Sequence, residues 1–175
     1  MTITQEYPSA GTSINQVPAL VKHLVREGLI ENGMVVLDYG AGKYDTAKEY
    51  VLGTLDVTYL QYDKYNRSNE VNLAALNQKA DLVILANVLN VIKEPEVRHQ
   101  VLLQVRYQMK KGARLYVSTY SADKNDLYQE ESDLGQPTKK GESWQNCQKL
   151  SFYMDEVRRV LPDSKVEGGI IIAQK

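Results

Sequence analysis

One cysteine, two histidines, one tryptophan and one phenylalanine in 175 residues leave several kinds of chemistry without material. Cys147 has no partner for an intrachain disulfide, so stability rests on burial, and a reducing cytoplasm is the expected compartment. His23 and His99 are far apart on predicted helices with no metal-ligand spacing around them; both read as surface or satisfied helix residues, and no metal is expected. No apolar run approaches the ~20 residues of a membrane span, and Met1–Pro8 lacks the charged-then-apolar pattern of a leader. A soluble, untargeted chain without a membrane partner is therefore expected. With 21 basic and 22 acidic residues the net charge is −1. No field of the kind that drives non-specific nucleic-acid binding follows from that balance, although a local basic patch is compatible with it. No repeat or low-complexity tract is present, and the length fits a single domain, 1–175.

What the chain does contain is organised around Met34-Val-Val-Leu-Asp38-Tyr-Gly40-Ala-Gly42-Lys-Tyr-Asp45. An apolar run of strand length ends on Asp38, breaks into two glycines, and gives way to helix formers from Thr46. Strand, glycine turn and helix form the first unit of a nucleotide-binding α/β sheet. Before it, Pro18 can open a helix carrying Leu20, Val21, Leu24 and Val25. After it, a helix from about Asp45 to Leu52 stops at Gly53, and a strand Val57–Tyr62 ends on Asp63.

Only 17 residues separate Asp63 from the next apolar run. The composition predicts a loop over 64–70, a short strand Val71–Leu73 and about one helical turn over 74–79, a shortened second crossover. Asp81–Ala86 reads as a central parallel strand buried on both faces. Pro95 opens a long helix predicted to close on Lys110, Lys111 and Gly112, and Leu115–Thr119 is the next strand. Residues 1–12 are expected to be loosely ordered, and 121–149 to be a lid or substrate loop. Ser151 can cap a last helix ending at Pro162, followed by a strand over 169–173. Alternating strands and helices argue a three-layer, doubly wound α/β fold with a mostly parallel sheet.

Asp63 follows Asp38 by 25 positions, at the end of the second strand. An acid there accepts ribose hydroxyls in such sheets, and hydrogen bonds to a charged acceptor contribute about 1.5–3 kcal/mol each. The plainer alternative is a surface aspartate after an ordinary turn. A dinucleotide would call for a third glycine beside its pyrophosphate, where this chain has Lys43, Tyr44 and Asp45. Asp45 would face a diphosphate badly and suits a ligand with a positive centre, which favours S-adenosylmethionine over NAD.

These residues resemble the class I S-adenosylmethionine-dependent methyltransferases, of Rossmann-like fold, across nearly the whole chain. Leu37-Asp-Tyr-Gly-Ala-Gly42, Tyr62-Asp63 and Asn87-Val-Leu-Asn-Val-Ile92 with Glu94-Pro95 and Arg98 are similar more narrowly to the DNA phosphorothioation-associated methyltransferases. Thr138–Gln145 matches that family loosely, whereas Tyr44 and Ala41 stand where it has glycine and cysteine. The resemblance implies S-adenosyl-L-methionine as cofactor. Gly40 and Gly42 would pass under its methionine part, Asp38 would meet its amino group directly or through water, and Asp63 would hold its ribose. Asn72 would face the adenine, with Tyr39, Ala41 and Lys64 beside them. Asn87 leaves the Asp81–Ala86 strand beside the donor or simply starts a turn, and Asn90 is a candidate for the acceptor side.

No Asp-Pro-Pro-Tyr or Asn-Pro-Pro-Tyr run follows the Asp81 strand and no Pro-Cys exists, which disfavours methylation of exocyclic amino groups or of cytosine C5 in DNA. Methyl transfer by direct displacement needs alignment more than acid–base chemistry, and alignment can supply ~7–11 kcal/mol. Tyr44 and the acids of 121–149 are the candidate bases. Tyr39, Tyr44, Tyr62 and Tyr65 flank the expected site and can either close over an adenosine or simply pack. Lys139-Lys140 with Trp144 would grip an anionic or aromatic acceptor or form a solvated loop with one anchor. The acceptor stays unidentified. Two rivals remain: a module of the same fold that binds S-adenosylmethionine, its product or a partner protein without turnover, and a nucleotide-linked oxidoreductase.

Overall fold

The computed structural model describes residues 4–120, 135–138 and 140–175. In chain order the elements are α1 (Ala19–Arg26), β1 (Val35–Tyr39), α2 (Thr46–Leu52), β2 (Thr58–Tyr62), α3 (Asn69–Leu76), β3 (Ala80–Ala86), α4 (Pro95–Gln108), β4 (Met109–Ser118), β5 (Gln136–Pro137), β6 (Trp144–Gln145), α5 (Leu150–Val160), β7 (Ser164–Glu167) and β8 (Ile170–Gln174). Six strands form one sheet in the order β2-β1-β3-β4-β8-β7, and β5 pairs with β6 apart from it. β2, β1, β3 and β4 run parallel, while β8 is antiparallel to both β4 and β7.

Alternation along each strand sends side chains to opposite faces, and here both faces are covered. Val36, Leu82, Ile84 and Tyr116 pack with Leu20, Val21 and Leu24 of α1 and Ala47 and Val51 of α2. Leu37, Val83, Leu85, Leu115 and Val117 pack with Leu102 and Val105 of α4 and Tyr153, Met154 and Val157 of α5. This is the three-layer, mostly parallel, Rossmann-like arrangement expected from the sequence. No helix among the described residues is long and apolar enough to cross a membrane.

Several elements differ from the sequence expectation. Val71–Leu73 is not a strand: it lies within α3, whose start is fixed by Ser68 accepting a hydrogen bond from the Val71 amide at 3.3 Å. β2 is therefore the sheet edge, and the short crossover holds one helix. Lys110, Lys111 and Gly112 do not close α4. The chain passes directly from Gln108 into β4, and these residues fall in a bulge where the ladder jumps from Ala80↔Met109 to Leu82↔Arg114. Ser151 sits inside the first turn of α5, with Lys149 at the capping position. β7 escaped the sequence reading because its burial is low along its whole length. Within 121–149 the described part is structured, with Trp144 and Asn146 buried; residues 121–134 and Lys139, and the roles proposed for them, lie outside the described residues.

Candidate functional site

β1 lies between β2 and β3, so the crossover from β1 to β2 runs one way along the sheet and the crossover from β2 to β3 runs back past β1 the other way. Such a switch point opens a crevice beyond the strand ends. The cleft found there has a volume of about 400 Å³ and takes in Asp38, Gly40, Ala41, Gly42, Tyr44, Asp63, Asn87 and Asn90. A larger concavity, about 600 Å³, lies beside β7 and β8, with His23 and Lys165 on its wall; none of the predicted site residues lines it.

The glycine turn is held by side chains that converge on it. Gly40 (φ 88°) and Gly42 (φ 68°) both occupy the left-handed region. A Cβ on Gly40 would overlap the Cγ2 of Val88, and one on Gly42 would overlap the Oγ of Ser13. The Gly42 amide donates to Asp63 Oδ2 at 2.8 Å. Asp63 Oδ1 accepts from the amides of Tyr65 (3.0 Å) and Asn66 (2.9 Å) and from Asn66 Nδ2 (3.2 Å). The carboxylate predicted to hold a ribose is thus also the clamp that sets the turn, and Oδ2 keeps room for one further donor.

Arg67, which sequence reasoning passed over, completes the clamp. Its Nε donates to the Gly42 carbonyl (2.7 Å) and its Nη2 to the Tyr44 carbonyl (2.9 Å), while Nη1 pairs with Asp45 at 2.7 Å. That pairing holds the Asp45 carboxyl below its usual range, with a second hydrogen bond from Gln61. Asp45 consequently spends its charge on Arg67, and it is absent from the cleft lining, contrary to its expected role toward a positive ligand. No local signal marks Arg67: it stands in a polar loop without periodicity.

Asp38 is the most perturbed group in the cleft. Only 4% of it is exposed, and its one hydrogen-bond partner among the described residues is Tyr59, whose hydroxyl donates to Oδ2 at 2.8 Å. Burial pushes its carboxyl up to about 6, opposed by the Tyr59 hydrogen bond and by Arg67, and reinforced by Asp63. No Lys, Arg or His is among the described residues that line the cleft.

Three predicted cofactor contacts fall elsewhere. Tyr39 alternates with Asp38 along β1, so its side chain enters the opposite core, stacks on Tyr62 (centroids 4.5 Å apart) and hydrogen-bonds Gln104. Asn72 is consumed by the main chain: its Oδ1 accepts from the Asp63 amide and its Nδ2 donates to the Asp63 carbonyl, both at 2.9 Å. It supports Asp63 from behind and does not line the cleft. Lys64 is exposed, with its ammonium 5.3 Å from the Tyr65 ring. Asn87 is at once a turn residue and a wall of the cleft. Its φ is 56°, a conformation asparagine tolerates, and its amide donates to the Ser118 carbonyl at 2.8 Å.

The N-terminal residues, expected to be loose, cross the cleft mouth. Tyr65 donates to Gln5 (2.5 Å), the Glu6 amide donates to Glu94 (2.8 Å), Tyr7 lies against Trp144 (5.3 Å), and the Lys43 amide donates to Ser13 (3.0 Å). On the far wall the indole of Trp144 donates to Asn146, whose Nδ2 holds the carbonyls of Leu89 and Ile92 at 3.0 and 2.8 Å. Arg98 fixes the same loop, donating to the carbonyls of Ile92 and Lys93 and pairing with Glu156 at 2.8 Å.

No family model matches the chain, and no curated protein sequence is similar to it. Solved structures are similar in fold. An O-methyltransferase family protein from Burkholderia thailandensis superposes with a TM-score of 0.64 at 17% identity, over 89% of this chain and 55% of that one. A 1,6-didemethyltoxoflavin-N1-methyltransferase from the same organism, solved with bound 1,6-didemethyltoxoflavin and S-adenosylhomocysteine, gives 0.64 at 13% identity over 90% and 77%. A SAM-dependent methyltransferase from Methanosarcina mazei gives 0.55 at 16% identity over 86% and 96%. The chain spans little more than half the length of some structures that it matches, 54% in the case of PigF. At these identities the likeness establishes the fold.

Proposed function

We propose that the chain is an S-adenosyl-L-methionine-dependent methyltransferase that transfers the methyl group to an acceptor by direct displacement. One observation carries the choice of cofactor: the cleft presents two carboxylates, one of them buried, and no basic side chain among its described residues. A buried carboxylate without a cation calls for a positive ligand, whereas the diphosphate of NAD would meet repulsion. The cradle over Gly40 and Gly42 admits a ligand against bare backbone.

In this reading S-adenosylmethionine supplies, when bound, a methyl group already activated on a sulfonium. Asp38 would receive the ammonium end. Asp63 would offer Oδ2 to the ribose while Oδ1 keeps the loop in place. Arg67 keeps the turn open by occupying the outward carbonyls of Gly42 and Tyr44. Structures of similar fold solved with S-adenosylhomocysteine bound support the choice of cofactor. The narrower kinship with the DNA phosphorothioation-associated methyltransferases rests on the sequence motifs alone.

A second reading, binding without turnover, is favoured by the internal engagement of Asp63 and by the strap across the mouth. Incubation with methyl-labelled cofactor and fractionated lysate separates the two. Label entering nucleic acid, protein or small molecules supports catalysis. Full occupancy by the cofactor with no labelled product in any fraction would discard it.

A further inference from the structure

We infer that the acceptor is a neutral or cationic small molecule bearing an N–H or O–H donor, and that Asn90 Oδ1 receives that donor. This rests on the methyl-transfer reading and adds the chemistry of the acceptor to it. Asn90 lines the cleft just beyond the end of β3, is 2% exposed, and its Oδ1 has no hydrogen-bond partner. Buried amide oxygens are almost always satisfied, so an orphan on a residue that lines the cleft calls for a donor, which a ligand seated against Asn90 would supply.

The orientation of the amide is determined by its neighbours. Gln145 Nε2 donates to the Asn146 carbonyl at 3.0 Å, which turns Gln145 Oε1 toward Asn90 Nδ2, 3.4 Å away. Flipping Asn90 would set two carbonyl oxygens against each other. The backbone is equally fixed, since the Asn90 carbonyl accepts from the Asn146 amide at 2.7 Å. Asn90 Oδ1 is therefore a preset acceptor, and it selects for a donor.

The surroundings narrow the class further. Val88, Val91, Tyr120 and Trp144 line the same cleft as Asn90 and supply apolar and aromatic surface suited to a flat molecule. An anionic acceptor would find Asp38 and Asp63 and, among the described residues, no cation in the cleft. A nucleic-acid phosphate is disfavoured on the same ground.

The test uses the full chain saturated with S-adenosylhomocysteine and three probes of one shape: 2-naphthol, 2-methoxynaphthalene and 2-naphthoate, each titrated calorimetrically. 2-Naphthol should bind about tenfold more tightly than the ether, the loss expected for one unmade hydrogen bond, and naphthoate more weakly than naphthol. Asn90→Leu should bring the naphthol-to-ether ratio close to one with S-adenosylhomocysteine affinity unchanged. Equal binding of naphthol and ether by the unmodified protein, preference for naphthoate, a ratio that survives Asn90→Leu, or no binding of any probe at millimolar concentration each overturns the inference. Failure of S-adenosylhomocysteine itself to bind would instead break the functional reading on which it stands.

Discussion

Replacing Asp38 by Asn should make the protein more stable at neutral pH and less able to bind S-adenosylhomocysteine. The carboxyl is displaced from 3.8 to about 6 by burial, and among the described residues only Tyr59 hydrogen-bonds it. At 1.36 kcal/mol per unit, carrying the charge above pH 6 costs the folded state about 3 kcal/mol. The folded carboxyl holds its proton more tightly than the unfolded one. Its contribution is thus fully favourable below about pH 4 and disappears as pH rises to about 6. An asparagine keeps an acceptor for the Tyr59 hydroxyl and carries no charge, although its amide must be accommodated at roughly 1 kcal/mol. The net gain should be about 1–2 kcal/mol at pH 7, a Tm rise of about 2–8 °C at 2–4 °C per kcal/mol. Melting curves of both proteins from pH 4 to 8 measure it, with the Tm difference small at pH 4 and growing to a plateau above pH 6. S-adenosylhomocysteine affinity should fall about ten- to a hundredfold, the loss of one charged hydrogen bond. A variant that melts lower at pH 7, or a Tm difference independent of pH, would refute the claim that this is a buried charge awaiting a cation.

Other substitutions test the supports. Arg67→Met removes two charged bonds to the carbonyls of the turn, and calorimetry should show S-adenosylhomocysteine affinity at least tenfold weaker. Its pair with Asp45, half exposed on the acid side, should contribute under about 1 kcal/mol of that loss. Gly40→Ala places a methyl in a left-handed position against Val88 and should abolish cofactor binding, with partial recovery on adding Val88→Ala. Arg98→Met leaves the half-buried Glu156 and the carbonyls of Ile92 and Lys93 without their partner and should lower unfolding free energy by about 1–3 kcal/mol in denaturant titrations.

The core of the fold was legible because it obeys simple periods. β1 and β3 are apolar runs interrupted only by Asp38 and Asp81, as suits strands covered on both faces, and the glycines of the first turn announce themselves by spacing. Val71–Leu73 misled because three alternating residues suit a strand and a half-buried helix alike, and the Ser68 cap decided for the helix. Of the site, the residues on the strand ends and the glycine turn were readable: Asp38, Gly40, Gly42, Asp63, Asn87 and Asn90 do meet in one cleft. The sequence marks Asn72 and Asp63 as ligand contacts, yet the former satisfies main-chain groups entirely and the latter mostly. Sequence spacing locates an acid at a strand end; it does not reveal how many of its lone pairs the loop itself will claim. Arg67, Tyr59 and the residue 5–13 strap depend on contacts distant in sequence, which no local pattern encodes.

The sharpest trial of the whole proposal is a calorimetric titration of the purified chain with S-adenosylhomocysteine, run beside Asp63→Asn and beside NAD. One molecule bound per chain, weakened at least tenfold when the Asp63 carboxylate is lost, with no heat from NAD, is the expected result. No binding of S-adenosylhomocysteine, or binding indifferent to Asp63, would show that the cleft beyond β1 and β3 serves some other ligand.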